Sequence, residues 1–180
     1  MTLFPSYQYS DIGINSTLYE LIEKNPYKQI KGYATRTSFT FGIDHRDVKQ
    51  LDDLLTWIEK LIPMVSFYYA NGGDKVDYDP DNCGFDVSKF KIRECWGIIY
   101  NKGEGVILHN HFPYPLSFVY YVKVPEGSSP LILDNQELFL PEGRVIFFLG
   151  HLFHGILPNE CDGRCIIAGN ISYEFPNDSK

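Results

Sequence analysis

The second half of the chain is a succession of short apolar runs separated by turns, and this pattern constrains the fold more than any other feature. Valine, isoleucine, tyrosine and phenylalanine fill the runs, whereas glycine and proline mark the turns, as in NKGEG and PEGSSP. Short strands with turns about every 8 to 12 residues are typical of a sandwich or barrel, so we predict a mainly β chain folded as a jelly roll. The eight runs are KFKIRECWGIIY, GVILHNH, LSFVYYVKV, PLILD, ELFL, RVIFFL, HGIL and RCIIAGNISYEF.

The first predicted helix lies near the N-terminus and covers residues 17–23. Its apolar residues share one face, and Thr17 and Glu20 have the spacing of a capping box. An Asn-Pro pair beginning at Asn25 ends the helix. The segment 27–42 that follows is rich in Tyr, Thr and Phe without a helical period, which predicts one strand or two.

A second, longer helix is predicted between the first helix and the β runs. Apolar residues recur at steps of three and four from Val48 to Ile62, and Asp44 is available as the N-terminal cap. Pro63 breaks this pattern, although another turn or two of helix can follow as far as Tyr69. We expect the two helices to pack on the outer face of one sheet.

Length, charge and cysteine usage limit the class of protein. The 180 residues fit one domain, in which residues 1–86 support a β core of residues 87–175, and the polar segment 72–85 is predicted to be a loop facing the substrate. A net charge of −7 disfavours nucleic acid and anionic membranes as partners. The sequence has no signal-peptide pattern and no apolar stretch that approaches a membrane span, so we expect a cytoplasmic protein whose four cysteines are reduced thiols.

Two histidines in one strand run, with a third downstream, have the pattern of a metal site. Side chains two residues apart in a strand point the same way, so His109 and His111 can converge on one ion. His154 is the third candidate ligand, and it is preferred over His151 because the sequence after it places it at the start of a strand. Imidazole binds Fe, Zn, Cu and Ni alike, so the residues alone leave the metal open.

A polar face on the last run indicates that the metal works with an acidic molecule. Arg164, Asn170 and the residues between them at every second position share one face of that run, which faces either water or the inside of a barrel. The run that contains Tyr121 is too apolar for solvent on either side, which favours the inside. A tyrosine hydroxyl beside a guanidinium forms a binding pair for a carboxylate.

Three segments together resemble the iron(II)- and 2-oxoglutarate-dependent oxygenases, in particular their prolyl-hydroxylase-like branch and small bacterial and phage proteins related to it. The segments are YNKGEGVILHNHFPYPLSFVYYV, PEGRVIFFLGHLFHGILP and GRCIIAGNISY, and the likeness spans roughly residues 96–173. The resemblance implies a double-stranded β-helix, the jelly-roll or cupin-like fold. It also implies a dioxygenase that uses O2 and 2-oxoglutarate to hydroxylate a protein side chain or a small molecule, releasing succinate and CO2.

The resemblance implies roles for seven residues and no catalytic side chain beyond the metal site. In the family, an H-x-D/E...H triad binds Fe(II), an arginine on the penultimate or last core strand binds the far carboxylate of 2-oxoglutarate, and nearby tyrosines complete its pocket. The asparagine on the same strand as the arginine can approach the keto-acid end. Carried onto this chain, the iron ligands are His109, His111 and His154, and the residues that bind 2-oxoglutarate are Arg164, Tyr121, Tyr100 and Asn170.

The chain departs from the family at His111, where most members have Asp or Glu. Three neutral ligands leave the site one unit more positive, which should weaken Fe(II) retention and alter its redox potential. Asp134 is a minor alternative for the middle ligand. Two other functions stay open: a cupin-like three-histidine metalloenzyme that does not use 2-oxoglutarate, which leaves Arg164 and Tyr121 unexplained, and a binding domain with incidental histidines.

Overall fold

The structure, a computed structural model, describes residues 4–25, 35–38, 47–73, 79 and 86–174. Ten strands and two α-helices are defined in these residues, and β3 to β10 coincide with the eight runs predicted as strands. The elements are β1 (Ser6–Gln8), α1 (Asn15–Lys24), β2 (Thr35–Ser38), α2 (Lys49–Ala70), β3 (Phe90–Tyr100), β4 (Val106–His109), β5 (Leu116–Lys123), β6 (Leu131–Leu133), β7 (Gln136–Leu138), β8 (Arg144–Leu149), β9 (His154–Ile156) and β10 (Arg164–Tyr173).

The strands form two antiparallel sheets that face each other. The large sheet has the order β1-β8-β5-β10-β3-β2, and the small sheet has the order β4-β9-β6-β7. From β3 to β10 the chain alternates between the two sheets, except for the hairpin of β6 and β7 within the small sheet, as in a double-stranded β-helix. The predictions of a mainly β chain and of this fold are confirmed.

Apolar side chains from both sheets fill the space between them. Strands β3, β5, β8 and β10 contribute one face, and β6 and β9 contribute the other. Side chains alternate along each strand, so every second residue of the large sheet reaches this interior. The buried interior residues are Trp96, Tyr100, Val119, Tyr121, Ile146, Phe148, Ile166 and Ala168 from the large sheet and Leu131, Leu133 and Ile156 from the small sheet.

Both helices cover the outer face of the large sheet, as predicted. Helix α1 contacts β3 and β5, and α2 contacts β3. Gly97 makes the close approach of α1 possible, because a Cβ atom at this position would lie 2.4 Å from the side chain of Ile22. The buried hydroxyl of Tyr120 donates a 2.8 Å hydrogen bond to Asn15, which attaches α1 to the middle of the sheet.

Both helices differ from the predictions in part. Helix α1 begins at Asn15 with Ile14 at the N-cap, so Thr17 lies inside the helix and the predicted capping box is wrong. Helix α2 continues through Pro63 to Ala70, so the break predicted at Pro63 is wrong, whereas the further turns of helix predicted as far as Tyr69 are confirmed. Buried residues on both sides of the proline hold the helix against the sheet, and this packing outweighs the backbone hydrogen bond that proline cannot make.

Several predictions concern residues outside the described ranges. They concern the cap at Asp44, most of the strand segment 27–42, most of the loop 72–85, and Cys83. Within 27–42, β2 confirms one strand. Helix α2 has Val48 at its N-cap. Among the described residues, Cys95, Cys161 and Cys165 form no disulfide bond. No helix in the described ranges is long and apolar enough to cross a bilayer.

Candidate metal centre and co-substrate pocket

Three histidines from two adjacent strands and the following loop come together at one end of the β-helix. His109 is the last residue of β4 and His154 is the first residue of β9, and the two are direct partners in the antiparallel pairing of these strands. His111 lies two residues beyond the end of β4. The predicted start of a strand at His154 is confirmed, and the exposed His151 stays outside the cluster.

The spacing of the imidazole nitrogens fits a single metal ion. The candidate ligand atoms all lie within 4.8 Å of one another, and Nε2 of His109 is 3.2 Å from Nε2 of His111. Two nitrogens at about 2.1 Å from one ion lie about 3.0 to 3.4 Å apart when the angle between them is between 90° and tetrahedral. The pair therefore already has the separation that a shared ion requires.

Each imidazole is oriented by a hydrogen bond at its other nitrogen. Nδ1 of His109 donates to the carbonyl oxygen of Ile107 at 2.9 Å, and Nδ1 of His154 donates to that of Leu152 at 3.2 Å. Nδ1 of His111 donates to Oδ1 of Asn170. Because an oxygen acceptor fixes the proton on Nδ1, all three rings present an unprotonated Nε2, which is the form that binds metals.

Burial keeps His154 in its neutral form. Its side chain lies among apolar groups, with the Phe148 ring centroid 4.7 Å from its own. Burial, followed by the neighbouring His109, lowers the pKa of His154 to about 3. A metal ligand must be deprotonated, so this residue needs no proton release before it binds an ion at neutral pH.

The loop after β4 is held in place by a close contact with the turn between β8 and β9. The backbone N–H of His111 donates a 2.7 Å hydrogen bond to the carbonyl of Gly150. A Cβ atom at Gly150 would lie only 2.0 Å from the carbonyl oxygen of Tyr114, so this approach requires glycine. The Trp96 ring stacks on the His111 ring at 5.5 Å with an interplanar angle of 23°. Backbone and ring contacts together fix His111.

A cavity of 330 Å³ extends from the three histidines into the β-helix. Its walls are mainly apolar side chains of the two sheets, and polar groups converge near the histidines. Glu94 and Asn170 lie beside His111, and Tyr100 lines the cavity in the interior. An apolar pocket with a few convergent polar groups is the usual form of a site for a small molecule.

A buried guanidinium lies next to this cavity. Arg164 is 1% exposed, and its Cζ atom is 5.6 Å from the ring centroid of Tyr100 and 5.8 Å from that of Tyr121. Arg164 and Tyr121 do not line the first cavity but a second one, also of 330 Å³. Burial raises the pKa of the Tyr121 hydroxyl to about 12, although the positive charge of Arg164 acts in the opposite direction.

Three polar atoms of this pair lack hydrogen-bond partners in the described part of the chain. Among the described residues, no group accepts a hydrogen bond from Nε or Nη1 of Arg164, and none pairs with the Tyr121 hydroxyl. Buried donors without acceptors are rare in folded proteins, and a buried charge without a counterion is rarer. A carboxylate fits these donors, because a guanidinium binds it in a bidentate manner and the hydroxyl adds a third donor.

The predicted site residues fall into two groups in space. The three histidines and Asn170 lie at one end of the first cavity, Arg164 and Tyr121 lie beyond it, and Tyr100 contacts both regions. The exposed Asp134 lies outside the histidine cluster, so the structure does not support it as the middle ligand.

Three further residues at the site, Glu94, Trp96 and Ser117, were not predicted from the sequence. Glu94 and Ser117 are the cross-strand partners of Asn170 on β3 and β5, and both hydrogen-bond to its side chain. The alternation of β3 places Trp96 on the same face as Glu94. Only the strand register could have identified these residues, and it cannot be read from one sequence.

Solved structures with the same fold include several oxygenases, whereas no protein-family model and no curated protein matches the sequence. One is the viral collagen prolyl hydroxylase of Paramecium bursaria Chlorella virus-1 in complex with 2-oxoglutarate, with a TM-score of 0.64, 16% identity and coverage of 96% of both chains. The chain has the fold of this hydroxylase.

Two further structures show the range of proteins built on this fold. A prolyl hydroxylase from Trichoplax adhaerens, in complex with a peptide fragment of the hypoxia inducible factor, has a TM-score of 0.64 and 14% identity over 96% of this chain and 84% of that one. The non-haem α-ketoglutarate-dependent epimerase SnoN from nogalamycin biosynthesis has a TM-score of 0.67 and 9% identity over 98% and 86%.

Proposed function

We propose that the protein is a non-haem Fe(II)- and 2-oxoglutarate-dependent oxygenase. His109, His111 and His154 would hold the iron, and Arg164 with Tyr121 would bind the far carboxylate of 2-oxoglutarate. The observation that carries the proposal is the buried Arg164, whose unpartnered N–H groups lie in the same β-helix as a three-histidine cluster. The fold shared with a hydroxylase solved with 2-oxoglutarate supports the same conclusion.

The arginine also decides between this function and the main alternative. A three-histidine enzyme that binds its substrate directly to the metal needs no second cation deep in the β-helix. Burying a guanidinium without a partner is unfavourable, and a protein that gains nothing from it would replace it by an apolar residue. A co-substrate with one end on the metal and a carboxylate at the other end would supply the hydrogen-bond acceptors that Arg164 and Tyr121 lack.

Each group of residues would then have a defined part in the reaction. The bound iron supplies the activation of O2, coupled to the oxidation of 2-oxoglutarate to succinate and CO2. The histidines hold the ion by Nε2, and Arg164 fixes the position of the co-substrate. The apolar walls, including Trp96 and Phe148, exclude water from the reacting end of the cavity.

We propose a protein side chain or a small molecule as the primary substrate. The fold accommodates both classes, since one neighbour is solved with a peptide fragment and another is an epimerase from nogalamycin biosynthesis. The cavity reaches the surface beside the strongly exposed Phe112, at 77% exposure, so an apolar group next to the reacting atom would find a contact there.

Conversion of 2-oxoglutarate to succinate tests the proposal without knowledge of the primary substrate. The purified protein, supplied with Fe(II), ascorbate and O2, should release succinate slowly in the absence of substrate. His109→Ala and His154→Ala should abolish this release. His151→Ala is the matched control, because His151 is exposed and outside the cluster, and it should retain the wild-type rate. Equal rates in all variants and in the iron-free protein would contradict the proposal.

A further inference from the structure

A site made of three histidines lacks the negative charge that a carboxylate ligand would bring to the metal ion. Three neutral imidazoles leave a divalent ion with its full charge of +2, whereas a carboxylate ligand would reduce it by one unit. Among the described residues that line the cavity, Glu94 is the one that carries a carboxylate. Glu94 is half-buried and does not belong to the histidine cluster. Its connection to that cluster is indirect.

Asn170 connects the Glu94 carboxylate to His111. Nδ2 of Asn170 donates to Oε2 of Glu94 at 3.1 Å, and Oδ1 of Asn170 accepts from Nδ1 of His111. The hydroxyl of Ser117 donates to the same Oδ1 atom at 2.9 Å. The two atoms of the Asn170 amide therefore have opposite roles, with the donor toward the carboxylate and the acceptor toward the imidazole.

The strand register makes this chain of contacts a built feature of the large sheet. Glu94 on β3, Asn170 on β10 and Ser117 on β5 form one row across three neighbouring strands. Asn170 is 4% exposed and Ser117 is 1% exposed, so the connection lies in a region of low dielectric constant. Electrostatic effects transmitted by hydrogen bonds are stronger in such a region than in water.

A carboxylate at the end of this chain increases the electron density on the metal-binding nitrogen. The negative charge polarises the Asn170 amide, and the polarised oxygen draws the Nδ1 proton of His111 more strongly. The ring then becomes a more basic ligand at Nε2. In metal sites, a carboxylate that contacts a histidine ligand has the same effect, but here an amide lies between them.

We propose that Glu94, acting through the side chain of Asn170, supplies the negative charge that the three-histidine site lacks. Glu94 is thus a positioning residue that strengthens metal binding at His111 without touching the metal. The inference rests on the proposed metal site. It assigns to Glu94 and Asn170 a role in metal binding instead of contact with the keto-acid end of 2-oxoglutarate.

The first test is the affinity for Fe(II) alone, measured under anaerobic conditions by competition with a coloured chelator. Glu94→Gln keeps an oxygen acceptor for the Asn170 amide and removes the charge, so it should weaken Fe(II) binding by about 10-fold. Glu126→Gln removes an exposed carboxylate that does not line the cavity, and it should leave the affinity unchanged. Thermal unfolding of the metal-free proteins establishes that each variant is folded.

The second test moves the negative charge from residue 94 to residue 170, its neighbour in the row, which contacts His111. The double variant Glu94→Gln/Asn170→Asp exchanges the amide and the carboxylate, so the row keeps its shape, its hydrogen bonds and its total charge. It should restore Fe(II) affinity to the wild-type value or above, because the charge now contacts His111 directly. A residue with only a structural role would show no such rescue.

The possible results separate the inference from the proposed function. Wild-type affinity in Glu94→Gln, or a double variant no better than Glu94→Gln, would overturn the role of Glu94 while leaving the metal site intact. Absence of Fe(II) binding in the wild-type protein would instead contradict the proposed function. A loss in Glu94→Gln that the exchange restores would establish the inference.

Discussion

Replacing Arg164 by methionine should have opposite effects on the stability of the metal-free protein and on co-substrate binding. Methionine fills a similar volume without a charge. The change removes two buried donors that lack acceptors, each unfavourable by about 1 to 3 kcal/mol. It also removes two contacts with the tyrosine rings, each favourable by about 0.5 to 1 kcal/mol. The net range is about 0 to 5 kcal/mol, and we expect the free energy of unfolding to rise by its midpoint, about 2.5 kcal/mol.

Binding of 2-oxoglutarate should change in the other direction. A charge-assisted contact between the guanidinium and the far carboxylate contributes about 2 to 3 kcal/mol, so Arg164→Met should raise the dissociation constant by roughly 30- to 150-fold. Co-substrate at 100 times its wild-type dissociation constant stabilises the wild-type protein by about 2.7 kcal/mol but the variant far less. The stability of the variant relative to the wild type should therefore fall by about 2 kcal/mol when Fe(II) and 2-oxoglutarate are added.

Urea unfolding of both proteins, with and without Fe(II) and 2-oxoglutarate in anaerobic buffer, measures both effects. Tyr121→Phe is the matched variant, because it removes the unpartnered hydroxyl and keeps the ring against Arg164. It should weaken 2-oxoglutarate binding by about 2- to 12-fold. A less stable metal-free Arg164→Met protein with unchanged affinity for 2-oxoglutarate would refute the reasoning, because Arg164 would then be a structural residue.

Two further predictions concern the histidines. The pKa of His154 is lowered from 6.5 to about 3 in the folded protein. Between these pH values the unfolded state binds one more proton than the folded state, so the free energy of unfolding decreases as the pH is lowered. When the pH is lowered from 6.5 to 5, the free energy of unfolding measured in urea should decrease by about 2 kcal/mol more in the metal-free wild type than in His154→Leu. Equal decreases would contradict the burial of a neutral histidine. Gly150→Ala places a Cβ atom 2.0 Å from the Tyr114 carbonyl oxygen. The loop that carries His111 must then move, and Fe(II) affinity should fall by about 10-fold or more in the chelator competition; wild-type affinity would show that the loop does not fix this ligand.

The strands of the β core could be predicted because their signals are local. Most runs of β-branched and aromatic residues end at a glycine or proline, the turn at Asp134 and Asn135 being the exception, and each run became a strand between Phe90 and Tyr173. The choice of His154 over His151 also depended on neighbouring residues only. Where a distant contact decides the structure, the prediction failed: Pro63 stays within α2 because buried residues on both sides of it pack in the core.

The sequence allowed the candidate site residues to be proposed, but not the hydrogen bonds and backbone contacts that connect them. The H-x-H spacing brought His109 and His111 together as expected, although His111 lies beyond the end of β4 and is fixed by the loop contact with Gly150. The connection from Glu94 to Asn170 joins residues 76 positions apart. It depends on the register of β3 against β10, and a shift of one residue would point the two side chains to opposite faces.

Binding of Fe(II) and 2-oxoglutarate together, by three histidines and a buried arginine, can be measured by the visible charge-transfer absorption of iron bound to a keto acid. The metal-free protein is titrated under anaerobic conditions with Fe(II) and then with 2-oxoglutarate. We expect a band that saturates at one Fe(II) per chain, is absent in His109→Ala, and requires a much higher 2-oxoglutarate concentration in Arg164→Met. Stoichiometric Fe(II) binding without any such band would contradict this expectation.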